Sequence, residues 1–118
     1  MVFLNLGVAR AQSAFNEESD VMTYMYGKSF HNSENGLTIE YGYISIYNTF
    51  GIKVKNKNGA KFYFINVEIS TYGPYADLYG MSIDTGSNFG FRLYKGRLVV
   101  GRGEANEQVF LLEMTGSN

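Results

Sequence analysis

A chain of 118 residues with 45% apolar and 18% charged side chains has material for one core and too little for two, and it is not compositionally disordered. A formal net charge of −1 gives no whole-molecule attraction to nucleic acid or to an anionic membrane, and the absence of cysteine excludes disulfides, a thiol nucleophile and thiolate metal ligands. Ten Tyr, nine Phe and 14 Gly, with one Pro and no Trp, favour strands joined by tight glycine turns over helices.

Residues 2–8 form a short apolar run that leads into Ala9-Arg10-Ala11-Gln12. The pattern matches the end of a secretory signal with an Ala-x-Ala site, which predicts a secreted or periplasmic protein; the alternative is a loosely packed terminus over residues 1–12. At about seven residues the run is too short to span a bilayer. Residues 13–118 are expected to form a single all-β domain.

Glu17, Glu18 and Asp20 then suit a helix N-terminus, with Ser19 or Asp20 as the cap, Val21, Tyr24 and Met25 at helical spacing and Gly27 as the stop. A short strand over 28–32 and an Asn35-Gly36 turn follow. In the next run Leu37, Ile39, Tyr41 and Tyr43 share a face, but the apolar phase then moves to Ile44 and Ile46, which predicts a bulge or bend near Gly42. Ile52 and Val54 alternate with Lys53 and Lys55, and Asn58-Gly59 supplies a hairpin turn. Over 61–70 the alternation predicts Tyr63, Ile65, Val67 and Ile69 on the buried face, and Phe64, Asn66, Glu68 and Ser70 on the other.

Residues 71–77 read as a loop around the only proline, and Tyr79, Met81 and Ile83 as the inward face of the next strand. Phe89, Phe91 and Leu93, a Lys95-Gly96 turn, a strand over 97–100, a polar loop over 101–107 and a closing strand over 108–114 complete the pattern. The expectation is an all-β antiparallel meander of seven or eight short strands, forming a small barrel or sandwich with a short N-terminal helix.

His31 is the single histidine, and its position beside a turn suits a structural role rather than a relay or metal site. Asp84, Glu40, Glu68 and Glu113 lie on polar strand phases, where solvated carboxylates belong. The Gly101-Arg102-Gly103 run lacks the final glycine and the helix that phosphate binding needs. No catalytic residue, cofactor or metal is therefore expected. Lys53, Lys55, Lys57 and Lys61 surround one hairpin, and Arg92, Lys95, Arg97 and Arg102 another. With Phe62, Phe64 and the 88–91 run they resemble, over one short stretch, the aromatic and basic strands of cold-shock domains. A second aromatic strand with that family's spacing is missing and the charge is balanced, so no nucleic-acid partner is expected; lysines that blunt an exposed sheet edge account for the pattern.

Tyr72, Pro74 and Tyr75 are the candidate binding residues, because tyrosine offers a rigid plane and a hydroxyl at low entropic cost on a loop that Gly73-Pro74 restricts. The order of elements, with a short helix, Gly27-Lys28-Ser29-Phe30, a turn and a run of hairpins, resembles small secreted lipocalin-like domains. The tryptophan that follows the glycine in the lipocalin signature is absent. The resemblance implies a calyx open at one end or a protein-binding outer surface, without catalytic machinery. The functional expectation is an exported, non-enzymatic binding or accessory protein for a small ligand or a protein partner, as a monomer or weak homo-oligomer. Two alternatives are a structural subunit that pairs through a sheet edge and a small hydrolase or hydrolase inhibitor.

Overall fold

The computed structural model describes residues 14–102 and 108–114, with Arg102 and residues 108–114 described by their backbone. The 2–12 stretch read as a signal end and the loop over 103–107 lie outside these residues. Eight strands, β1 (Phe30–His31), β2 (Thr38–Ile44), β3 (Thr49–Lys55), β4 (Lys61–Thr71), β5 (Tyr75–Ser82), β6 (Asn88–Tyr94), β7 (Arg97–Arg102) and β8 (Gln108–Met114), follow one helix, α1 (Glu18–Met25). Each strand pairs antiparallel with the next, and β1 pairs with β8, so the meander closes into a barrel rather than a sandwich. No helix among the described residues is long and apolar enough to cross a membrane.

The helix begins earlier than the sequence pattern predicts. Asp20 is not the N-cap. It lies inside the first turn, and its carboxylate accepts the backbone N–H groups of Asn16 and Glu17, both at 2.9 Å, satisfying donors that the helix start leaves orphaned. Gly27, at φ 73°, ends the helix where expected. Val21 and Met25 are buried on one stripe, and Phe15 beside them is buried as well. Each contributes on the order of 1.5–3 kcal/mol of apolar burial. Phe15 also exchanges two backbone hydrogen bonds with Gly73, at 2.8 and 2.9 Å, which fastens the segment before the helix to the β4–β5 hairpin.

Three register expectations are corrected. Between β2 and β3 the pairing runs unbroken from Thr38↔Lys55 to Ile44↔Thr49, so there is no bulge at Gly42. The apolar phase moves because Ile44 is buried beside Gly51, apart from the main core: a β-carbon on Gly51 would come within 2.8 Å of Ile44 Cδ1 and 2.4 Å of the Phe64 carbonyl oxygen. Glycine permits that close approach of backbones.

The bulge falls instead in β4. Ile65 pairs with Met81 but Glu68 pairs with Tyr79, so Asn66 and Val67 together oppose Gly80. Asn66 adopts φ 53°, the left-handed region that asparagine tolerates better than most residues. Phe64 before the bulge is 7% exposed and belongs to the core, and Val67 and Ile69 after it pack against the same core. Strict alternation therefore assigned the first half of this strand to the wrong face. Gly80 makes room for the change, since a β-carbon there would lie 2.9 Å from Phe64 Cβ and 3.5 Å from Val67 Cγ2.

The third correction concerns β5, which starts at Tyr75, so the expected 71–77 loop shrinks to a hairpin tip in which Tyr72 N–H donates to the Tyr75 carbonyl at 2.9 Å. Ala76, Leu78, Gly80 and Ser82 are the buried phase of β5. Tyr79 is 40% exposed and is not a core residue. Phe30, Ile39, Ile52, Phe64, Leu78, Phe91, Leu93 and Leu98 form the buried core together with the helix, with the Phe64 ring 5.0 Å from Phe89 and 5.4 Å from Phe91 in edge-to-face contact.

Candidate functional site

The early start of β5 places Tyr75, Asp77 and Tyr79 on the phase of the strand opposite to the buried Ala76 and Leu78. Across the β5–β6 ladder Tyr75 opposes Tyr94 and Asp77 opposes Arg92; across β6–β7 Tyr94 opposes Arg97. These side chains make a continuous surface. Tyr72 stacks on Tyr75 at 5.0 Å between ring centroids with 29° between planes, and Tyr75 meets Tyr94 at 5.8 Å. The Arg92 guanidinium lies over the Tyr75 ring at 4.3 Å, and the Arg97 guanidinium over the Tyr94 ring at 4.1 Å. Cation–π contacts of this kind attract through the ring quadrupole.

Asp77 holds the arrangement in place. It is only 6% exposed, and its two carboxylate oxygens accept from Arg92 Nε at 2.7 Å and Nη2 at 3.0 Å. A bidentate fork of this type fixes the guanidinium plane, and here it holds the group over the Tyr75 ring. The hydrogen bond to Asp77 raises the Arg92 pKa, against the opposing effect of its partial burial. Partial burial raises the Tyr79 pKa, with the Asp77 charge acting in the same direction.

The predicted residues Tyr72, Pro74 and Tyr75 are brought together at one end of this surface. Tyr72 is 53% exposed and Pro74 is exposed, whereas Tyr75 is half-buried between Tyr72 and Tyr94. Gly73 adopts φ 91° and is pinned to Phe15, while Thr71 Oγ1 donates to the Asn16 carbonyl at 3.1 Å, so the tip is held rather than free. Asp77, Arg92, Tyr94 and Arg97 were not singled out as a unit by the sequence pattern. The signal was present in the hairpin register: counting back from the turn pairs Asp77 with Arg92, an opposite-charge cross-strand pair.

The remaining candidates are dispersed. His31 Nδ1 lies 3.0 Å from Thr38 Oγ1, in keeping with a structural histidine. Glu40 accepts from Ser29 Oγ at 2.5 Å, Glu68 faces Tyr79 across the ladder, Asp84 is exposed, and the Glu113 side chain lies outside the described residues. No cluster of three His, Cys, Asp or Glu side chains suited to a metal occurs among the described residues. The lysines Lys53, Lys55 and Lys61 do not blunt an edge, because β3 and β4 are paired on both sides within the ring.

Comparison of this chain with protein-family models, with curated proteins and with solved structures finds no match. The class that fold and surface define is a meander β-barrel with an aromatic face layered by arginine. The closed antiparallel barrel is compatible with the lipocalin-like architecture that the sequence around Gly27 resembles.

Proposed function

We infer that the protein is an exported, non-enzymatic binding or accessory protein that captures a protein partner on the outer face of β5–β7. The observation that carries this reading is the Tyr72-Tyr75-Tyr94 ladder with Arg92 and Arg97 laid over it. Tyrosine and arginine dominate the energetics of protein interfaces, and a ladder already ordered by a buried carboxylate loses little side-chain entropy on binding. The alternative of a calyx ligand is less well supported, since aromatic and aliphatic side chains from around the ring pack together as the core. Sheet-edge assembly is left, among the described residues, only the stretches of β2 and β8 that the two-residue β1 does not cover, since β1 and β8 close the ring. Export rests on the Ala9-Arg10-Ala11 pattern.

The test is affinity capture from the medium or envelope fraction of the native host, with Tyr72→Ala combined with Arg97→Ala as the variant. Both side chains are exposed, so the variant is expected to melt within a few degrees of the wild type and to lose the captured partner, at a cost of about 2 kcal/mol or more in affinity. Undiminished capture by the well-folded variant would refute the reading. Intact-mass analysis of the mature protein addresses export separately: a chain that begins near Gln12 supports it, and retained Met1 opposes it.

A further inference from the structure

A second surface, on β2–β4, shares no residue with the tyrosine face. Two adjoining depressions meet there. One, of about 300 Å³, is lined by Glu40, Tyr43, Ile44, Lys53, Lys55, Lys61 and Tyr63 among others. The other, of about 580 Å³, is lined by Met22, Tyr26, Lys28, Tyr41, Tyr43, Phe50 and their neighbours. Glu40, Tyr43 and Lys53 belong to both, so the two form one trough.

One part of the trough is cationic. Lys53 and Lys55 stand two residues apart on the same phase of β3, about 6.6–7 Å along the strand. Lys55 is directly opposite Lys61 on β4, a separation of about 4.5–5.5 Å between β-carbons at which like charges repel. Among the described residues none of these three ammonium groups has a carboxylate within 4.0 Å, the one ion pair being Arg92–Asp77. The Lys53 ammonium lies over Gly42, 3.6 Å from where a β-carbon would sit. Glu40 stands opposite Lys53 in the β2–β3 pairing, so the uncompensated charge is concentrated at the exposed Lys55–Lys61 pair, where an anion from outside would relieve the repulsion.

The other part is an aromatic platform. Tyr41 and Phe50 are near parallel, with 21° between planes at 6.3 Å, and Tyr43 meets Phe50 edge-on at 5.4 Å. Tyr43 and Phe50 are 48% and 53% exposed. Asn48 holds the Tyr43 hydroxyl. Because β1 spans only Phe30–His31, the Gly42–Ile44 part of β2, which lines the trough, is paired only with β3 among the described residues, leaving its other main-chain polar groups without a strand partner. An open platform with polar edges suits a ligand whose one face is apolar C–H and whose rim is hydroxyl; a fully apolar body would need deeper cover.

The geometry points to an acidic oligosaccharide, bearing uronate or sulfate groups, as the ligand of this trough, with sugar rings on Phe50 and Tyr43 and their acid groups at Lys53, Lys55 and Lys61. Calorimetric titration of the whole protein with hexagalacturonate, its fully methyl-esterified form and a chondroitin sulfate hexasaccharide tests the assignment. At least one acidic hexasaccharide is expected to bind, more weakly as salt rises, since exposed charges are screened. The methyl ester should bind at least about tenfold more weakly than hexagalacturonate if the latter is the ligand, and Lys55→Gln with Lys61→Gln should weaken the acidic ligand roughly tenfold or more, as loss of charged hydrogen bonds requires. The melting temperature of that variant should hold or rise, because the Lys55–Lys61 repulsion is removed. Lys55→Arg with Lys61→Arg should restore binding, and Phe50→Ala should weaken it. Failure of both acidic hexasaccharides to bind, equal affinity for acid and ester, or indifference to the lysine pair would overturn the assignment. Tighter binding of a hexameric deoxythymidine oligonucleotide would also overturn it, in favour of a phosphate-backbone reader.

Discussion

Phe64→Ala tests the re-phasing of β4 directly, because the bulged and unbulged registers predict opposite outcomes. The ring is nearly fully buried and makes edge-to-face contacts with Phe89 and Phe91, and its β-carbon sits against Gly80, which has no side chain to fill the space. Truncation of a buried phenylalanine costs about 3–5 kcal/mol through lost transfer energy and the cavity left behind. For a chain of this size that corresponds to a fall of roughly 12–20 °C in melting temperature. Tyr63→Ala, one residue earlier, removes a half-buried ring with a single edge-on contact to Tyr47 at 5.7 Å. Its cost should be about 0.5–1.5 kcal/mol. Thermal and urea unfolding of the two variants side by side, with equal m values, gives the comparison. Equal losses, or a larger loss for Tyr63→Ala, would refute the bulge and restore strict alternation through the strand.

Asn66→Gly should be neutral or slightly stabilising, whereas Asn66→Val should cost about 1–2 kcal/mol by urea unfolding, because a β-branched residue resists positive φ. Asp77→Ala should cost about 1–2 kcal/mol rather than the full penalty of a broken buried pair, because the partly exposed Arg92 can turn toward water; a double-mutant cycle with Arg92→Ala measures the coupling. Burial raises the Tyr41 pKa above the usual tyrosine range, with the Glu18 charge adding to the effect. At alkaline pH between the ordinary and the raised value, the unfolded chain has therefore lost a proton that the folded chain keeps, so stability should fall with rising pH in that window and Tyr41→Phe should flatten the fall. A spectrophotometric tyrosine titration should show two phenols lost late in the wild type, Tyr41 and Tyr79, and one fewer in the variant.

The architecture was legible because it depends on periodicity and turn chemistry, which the sequence carries locally. Ile39, Ile52, Val54, Phe91 and Leu93 were all expected inward and are buried. The error in β4 has a plain physical origin. Pattern reading counts residues, while a β-ladder counts pairs, and Asn66 is an extra residue that only its partner strand reveals. The tyrosine face was half legible for the same reason. Tyr72 and Tyr75 stood out by composition, but Arg92, Tyr94 and Arg97 join them only through cross-strand register. Asp77 looked like loop because Gly73 and Pro74 hid the start of a strand. The β2–β4 trough was illegible, since nothing in the order of lysines says whether their strands are interior or edge.

The brevity of β1 also shapes how the barrel comes together. Hairpins such as β2–β3 close over a few residues, but the ring closes only when Phe30 meets Met114, a separation of 84 positions (114 − 30), through a seam of two residue pairs on each side. That seam should form after the hairpins and open before them. Transient opening there would produce a curled sheet whose local pairings survive, with amide exchange fastest along Phe30–His31 and slowest in the β5–β6 ladder.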